Sequence, residues 1–409
     1  MKRLDYEDLR ARYGSPFYLY DLKILRHSCS MLRQALPNPA ILFYSLKANP
    51  HPLLVQELLN LGCWAEVSSL GELHVVLEAG GDKADILYTG PGKSRAELQR
   101  AVEMGVRWFS VESLTELEKL RSVAIDGNPP LQAIMRINPD QEYTGAGLAM
   151  TGTPSQFGTD EQALLRELKK LHLSENVQIA GFHIFNGTNT GNFETLSDSF
   201  LSSIQVMARL ARECGIKLKF VDLGGGFGYP YAVEGSPSNF GGLKVRLESA
   251  LDDLMPGWRS EEPSIAFESG RYLAAASGTL VSTVMDIKES KGSRFIILDS
   301  GIHHLGGMAG LGRIPRVQYD ILPVSEMPAD RHEPAKVVGP LCTPLDFFNK
   351  SARMPALRPG DLVYVPNVGA YGITASLLGF LSREMPVEIV VDGDEIKQVS
   401  QLTLNRIEK

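Results

Sequence analysis

Ile41-Leu42-Phe43-Tyr44-Ser45-Leu46-Lys47-Ala48-Asn49-Pro50 begins as an apolar run and ends on a single lysine among small and polar residues. The run, 41–45, reads as a short buried strand. A lysine delivered by such a strand into the protein is desolvated, and desolvation favours the neutral amine. A neutral amine is a nucleophile that can form a Schiff base with an aldehyde. Taken alone, Lys47 reads more readily as an exposed lysine on an edge strand, the commoner state of that residue. The pattern on either side of it decides between the two.

Downstream, short apolar runs alternate with amphipathic stretches at helical period. The runs fall at 41–45, 63–67, 85–88, 107–111, 132–138, 178–184, 219–223 and 264–268. Helical stretches follow them at 52–61, from 70, 94–104, from 113, near 160–171, 193–214 and near 243–254. Ser94 with Glu97, and Ser113 with Glu116, fit the capping box that opens a helix. Eight strand–helix units in roughly 240 residues predict an α/β fold with a (β/α)8 barrel. The rival, an open doubly wound sheet, would have fewer strands and a switch point.

Upstream, Tyr-Gly-Ser-Pro-Phe-Tyr-Leu-Tyr-Asp at 13–21 reads as a turn fixed by Pro16 and then a strand, with helical residues to about Ala35. After Arg271 the rhythm changes to strand-like runs at 278–287, 293–299, 335–338, 361–365 and 387–391. The expected organisation is an N-terminal strand and helix at 1–35, a barrel at 36–270 and a mostly β domain at 271–409, with the N-terminal strand joining the β domain.

The 409 residues exceed one ordinary core, which agrees with a barrel plus an appendage. Apolar residues at 44% and charged residues at 22% are those of a soluble globular chain. The formal charge of −7 disfavours a general role on nucleic acid or a membrane surface. No apolar run approaches the roughly 20 residues of a membrane span, and the N-terminus lacks the apolar core of a signal peptide. The four cysteines, Cys29, Cys63, Cys214 and Cys342, show no paired or metal-ligand spacing. A reducing cytoplasm is the simplest location and no metal is expected.

Barrel active sites lie at the carboxyl ends of the strands. Here those ends carry Lys47, Glu66, Arg136, His183, Gly224-Gly225-Gly226 and Glu268. The glycines can turn backbone N–H groups onto a phosphate, or simply form a turn, and they lack the GxGxxG dinucleotide spacing. Glu268 can accept from a protonated ring nitrogen, and Arg271 can hold phosphate or an acid such as Glu66; both could equally be a structural ion pair. His183 is either a core histidine or a ring that lies flat on an aromatic cofactor. In the β domain Cys342, near Asp346, reads as a proton donor or a buried thiol. Tyr371, in Gly-Ala-Tyr-Gly, offers a hydroxyl to phosphate or a packed aromatic.

Taken in order, YGSPFYLYD, YSLKANP, AEVSSLGEL, GFHIFNGTN, VDLGGGFG, ESGR, LDSG, GPLCTPLD and GAYG resemble the fold-type III pyridoxal-phosphate decarboxylases, the family of diaminopimelate, ornithine and arginine decarboxylases. The resemblance covers nearly the whole chain. It implies pyridoxal 5'-phosphate as cofactor and Lys47 as the Schiff-base lysine. It implies His183 on the pyridine face and Gly224, Gly225, Gly226, Arg271 and Tyr371 about the phosphate. Glu268 would keep the ring nitrogen protonated and Arg136 would support the site. It further implies a head-to-tail homodimer in which Cys342 reaches the neighbouring subunit's site and protonates the α-carbon after carbon dioxide leaves. Asp346 and Thr343 would meet the substrate.

Three departures narrow the substrate. Diaminopimelate decarboxylases resemble GPLCESGD at the cysteine, with an acid that reads the far ammonium, where this chain has Thr343. The histidine loop reads HIFNGTN rather than HIGSQ, and ESGR replaces EPGR. A neutral threonine offers no countercharge to a second amine. The chain therefore looks most similar to a bacterial branch acting on carrier-protein-tethered amino acids or carboxylate-rich precursors, or associated with exosortase loci. The alternatives are a diaminopimelate-type enzyme acting on a free amino acid, a racemase-like activity, and a non-catalytic cofactor-binding homologue. Glu268 and the Cys342 motif argue against the racemase, and the presence of Lys47 and Cys342 argues against the homologue.

Overall fold

The computed structural model describes residues 5–140, 148–149, 152–168, 175–306, 318–325 and 332–408. Two compact units divide the chain: a barrel unit of Cys29–Tyr229 and Pro237–Leu273, and a β unit of Met1–Ser28, Pro230–Ser236 and Ala274–Lys409. The sequence reading set the boundaries at 35/36 and 270/271 and did not assign 230–236 to the β unit.

In the barrel unit the strands are β1 Ile41–Ser45, β2 Trp64–Val67, β3 Ile86–Tyr88, β4 Trp108–Val111, β5 Leu131–Asn138, β6 Val177–His183, β7 Phe220–Asp222 and β8 Ser264–Ser269. Each pairs in parallel with the next, and β8 returns to pair with β1, so the sheet closes. Closure removes the open-sheet rival. The strands read as apolar runs because they are buried on both faces, as parallel strands under helices must be. Inside, Phe43 of β1, Leu87 of β3, Ile134 of β5 and Phe220 of β7 cluster with Ala266 of β8. Alternate strands supplying one interior layer is the packing rule of this architecture.

The helices follow as α1 Pro52–Asn60, α2 Leu70–Glu78, α3 Arg95–Glu103, α4 Leu114–Val123, α5 Glu161–Leu168, α6 Phe193–Cys214 and α7 Leu243–Leu254. The two starts that fit the capping box are capped as their residue types demand. The Oγ of Ser94 accepts from Glu97 N at 3.1 Å, and that of Ser113 from Glu116 N at 3.2 Å. The predicted end of α5, at 169–171, lies outside the described residues. Among the described residues no helix is long and apolar enough to cross a membrane.

The β unit is a mostly antiparallel sheet. The N-terminal strand Phe17–Asp21 lies in it between Gly278–Ser290, antiparallel, and Val387–Asp392, parallel. Leu9, Phe17, Leu19, Val281, Leu362, Ile389 and Val391 form its core. Among the longer elements of this unit, the helix Tyr6–Tyr13 and the strands Phe347–Met354 and Glu395–Gln401 escaped the sequence reading.

Candidate active site

Lys47 sits in a single 3-10 turn, Leu46–Ala48, at the carboxyl end of β1. Its Nζ is 3.0 Å from Glu66 Oε1 and 3.3 Å from Oε2. Ser45 and Glu66 are register partners across β1 and β2, which is why the two ends meet. The Lys47 side chain is 43% exposed and that of Glu66 3%. This corrects the expectation of a desolvated lysine: the environment of Lys47 is set by a buried carboxylate, not by burial of the amine. Burial pushes Glu66 upward, but the Lys47 charge and hydrogen bonds from Ser45, Lys47 and Thr89 outweigh it and hold the carboxyl below its ordinary value.

Arg136, His183 and Asp222 stand side by side, since Arg136 pairs with His183 across β5 and β6, and Asp222 with His183 across β7 and β6. The His183 Nδ1 is 2.8 Å from Ser110 Oγ, and its Nε2 is 3.4 Å from Glu268 Oε1 on β8. Burial, then the charges of Arg136 and Lys47, hold His183 well below the ordinary imidazole value, so the ring is neutral. Glu268 is pushed well above its usual range by burial and by the nearby carboxylates of Glu66 and Asp222. Asp222, whose Oδ1 accepts from Gly224 N at 2.8 Å, is raised by burial to about 7. Ligand-type atoms of His183, Asp222 and Glu268 lie within 4.8 Å of one another. That spacing would admit a metal ion or a polar ring nitrogen.

Beyond this row runs a network that the sequence did not reveal. The Arg136 guanidinium is 2.9 Å from Glu112 Oε1, and its Cζ lies 4.7 Å from the Phe157 ring centroid. Glu112 Oε2 accepts from Gly158 N at 2.7 Å. Lys93, fully enclosed, is 2.7 Å from Glu116 Oε1. Burial pulls Lys93 down and Glu116 up, each against the pull of its partner's charge. Charged residues normally read as surface, so the only available signal was that Glu112 and Glu116 bracket a helix start. Phe185, from the divergent HIFNGTN loop, sets its ring 5.8 Å from Lys47 Nζ and 6.0 Å from Arg136 Cζ.

Gly224, Gly225 and Gly226 follow β7. A Cβ on Gly225 would lie 2.3 Å from the Glu268 carbonyl oxygen, and Gly224 has φ +67°. Glycine is thus required here by the close approach of β8, apart from any ligand. Arg271 opens the short helix Arg271–Ala274 after β8.

Cys342, Thr343, Asp346 and Tyr371 belong to the β unit. Cys342 is exposed. Asp346 is buried, its Oδ1 accepting from Ile302 N and its Oδ2 from Leu341 N, each at 2.8 Å. Asp346 thus braces the Cys342 loop from beneath. Thr343 closes that loop through its N–H to Leu341 O at 2.8 Å. Tyr371 adopts φ +54°, and its carbonyl accepts from the Tyr231 hydroxyl at 2.9 Å.

Residues 22–275 match the pyridoxal-binding domain of the pyridoxal-dependent decarboxylases. An L-glutamyl-(BtrI acyl-carrier protein) decarboxylase from Niallia circulans is 35% identical over 386 residues, 93% of this chain and 90% of the relative. The chain belongs to the pyridoxal-dependent decarboxylase family. A diaminopimelate decarboxylase from Vibrio cholerae is 30% identical, over 96% of this chain and 91% of that one. Among solved structures, the Helicobacter pylori diaminopimelate decarboxylase complexed with L-lysine superposes with a TM-score of 0.83 at 26% identity, covering 97% of this chain and 95% of that one. A Vibrio vulnificus lysine/ornithine decarboxylase complexed with putrescine gives 0.77 at 25%, covering 95% and 97%.

This decarboxylase uses pyridoxal 5'-phosphate, and its own atoms fit that group. Glu268 Oε1, His183 Nε2 and Asp222 Oδ2 are buried and make no well-formed hydrogen bond among the described residues, the 3.4 Å approach of the first two being too poorly aligned to be one. Such orphaned atoms are rare in native interiors and mark the place of a polar ligand. A pyridine ring, whose nitrogen needs a proton-bearing acid and whose face tolerates a neutral imidazole, answers that demand.

Proposed function

We propose that this decarboxylase removes the α-carboxylate of an amino acid whose far end bears no free ammonium, either tethered to a carrier protein or rich in carboxylates. The observation that carries the chemistry is Glu268: a buried acid whose Oε1 makes no well-formed hydrogen bond among the described residues, beside a neutral imidazole. Pyridoxal phosphate, when bound, supplies the electron sink for the pair left on the α-carbon as carbon dioxide departs.

The chain's residues do the rest. Lys47 provides the amine that holds the cofactor, kept at the end of β1 by Glu66. Glu268, raised by burial, would hold a proton at the ring nitrogen, a charge placed where the reaction needs it. His183, fixed by Ser110, would support the face of the ring. Arg136 is locked by Glu112 and supports that row. Gly224, Gly225, Gly226, Arg271 and Tyr371 take the phosphate. Cys342, supplied by the neighbouring subunit of a homodimer, gives one proton to the α-carbon, so that substrate plus a proton yields an amine plus carbon dioxide. Asp346 holds the cysteine loop through Leu341 N.

Thr343 supports the substrate half, since a neutral side chain offers nothing to a second ammonium. The name of the 35%-identical relative, an L-glutamyl carrier-protein decarboxylase, points the same way. A cytoplasmic location accords with this chemistry. Carbon dioxide release is to be measured for glutamyl-loaded carrier protein, free glutamate, citrate-conjugated amino acids, diaminopimelate and ornithine. The tethered or carboxylated substrates should turn over fastest. Faster turnover of free diaminopimelate would overturn the substrate assignment.

A further inference from the structure

Spacing along the sequence gave no sign of a cysteine pair, and the fold makes one. Cys29 lies on the helix Leu22–Ala35 and Cys63 immediately before β2. Their Sγ atoms, both buried, are 3.7 Å apart. One turn along the helix from Cys29, Arg33 places Nη2 3.7 Å from Cys63 Sγ, and its buried Nε has no hydrogen-bond partner among the described residues. All three residues belong to the barrel unit.

This arrangement favours a thiolate. The hydrogen bond from Cys63 holds the Cys29 thiol down at about 7, with burial opposing and Arg33 assisting, while Cys63 is pushed up by the same bond and by burial. Both residues are nearly closed to solvent, at 1% and 3% exposure, and the Arg33 beside them is half-buried.

We propose that Cys29 and Cys63 form a dithiol–disulfide site oxidised by hydrogen peroxide. The Cys29 thiolate attacks one peroxide oxygen, the O–O bond breaks, and the departing oxygen leaves as water after taking a proton. The resulting sulfenic acid is attacked by Cys63 sulfur; the S–S bond forms, the S–OH bond breaks, and the thiol proton leaves with hydroxide as a second water. Two thiols are oxidised and one peroxide is reduced to two waters. A dithiol reductant reverses the change by exchange.

The holoenzyme is treated with hydrogen peroxide, quenched, unfolded, alkylated and digested without reductant. The expected product is a peptide pair joined through Cys29 and Cys63, released by dithiothreitol. In Cys63→Ser, oxidation stops at a Cys29 sulfenic acid that dimedone traps. In Arg33→Met the link forms more slowly than in the parent, because the charge that favours the thiolate is gone. Exposed Cys342 reports that peroxide has acted. Oxidation of Cys342 with Cys29 and Cys63 both still alkylated overturns the proposal, as does a link that forms only in denaturant or at an equal rate in Arg33→Met.

Discussion

Lys47 Nζ and Glu66 Oε1 are 3.0 Å apart, one side chain 43% exposed and the other 3%. The asymmetry means that the lysine is reachable by a ligand while its partner is not free to leave. It has a consequence for stability as well as for chemistry. In Lys47→Ala the buried Glu66 loses its main cation, and an uncompensated buried acid costs about 1–3 kcal/mol. Thermal unfolding should therefore show Lys47→Ala below the parent and Lys47→Ala/Glu66→Gln partly restored. A single variant as stable as the parent would contradict this reading of the pair.

Glu268→Gln keeps the shape of the acid and removes its proton chemistry. Decarboxylation should fall by about 10²-fold, the usual effect of removing one placed electrostatic group, while cofactor is retained by absorbance. Ser110→Ala, which acts only through His183 Nδ1, should cost about fivefold, the worth of one neutral hydrogen bond. Equal losses in the two variants would place His183 and Glu268 in different roles from those assigned.

Gly225→Ala puts a methyl group 2.3 Å from the Glu268 carbonyl oxygen. Overpacking of this kind costs about 1–3 kcal/mol, and the displaced backbone carries Glu268 with it. Lower stability and weaker cofactor binding should appear together in calorimetry and absorbance titration. Weaker binding with stability intact would mean that the glycine serves the phosphate alone.

In the β unit Glu388 is raised by burial to about 7, although the Tyr20 hydroxyl donates to its Oε1 at 3.1 Å. The folded chain keeps this proton to near pH 7, whereas the unfolded chain releases it in the ordinary carboxylate range. Stability from this group is full below that range and is lost as pH rises through about 7. Between pH 5 and 8 the parent should lose stability relative to Glu388→Gln, by an amount on the order of 3 kcal/mol. Parallel stability curves for the two proteins would exclude a buried proton at this position.

The barrel was legible because its chemistry repeats. Buried parallel strands leave apolar runs, and Ser94 and Ser113 mark helix starts, so the eight strands and the full span of α6, Phe193–Cys214, follow from pattern alone. Legibility failed where polarity did not follow burial. Phe347–Met354 alternates poorly, with Asn349, Lys350 and Ser351 in succession, yet pairs with Glu333–Val338. Tyr6–Tyr13 is half charged, and only Leu9 is buried, with Tyr6 and Tyr13 packed at the edge of the core. At the site, the residues at strand ends were visible one by one. Their partners Ser110, Glu112, Glu116, Lys93 and Asp222 were not, because a buried ionisable side chain is defined by what closes over it. Cys29 and Cys63 meet only when β2 docks beside the helix Leu22–Ala35, which no spacing rule encodes.

The central claim is that the Lys47 amine holds the cofactor, and borohydride tests it most directly. Reduction of the holoenzyme fixes the cofactor to whichever amine carries it, and peptide mass analysis then locates the label. The phosphopyridoxyl group should be found on Lys47, with the parent's visible absorbance missing in Lys47→Ala. A label on Lys93 or any other lysine, or a Lys47→Ala protein that keeps the absorbance, would contradict the account.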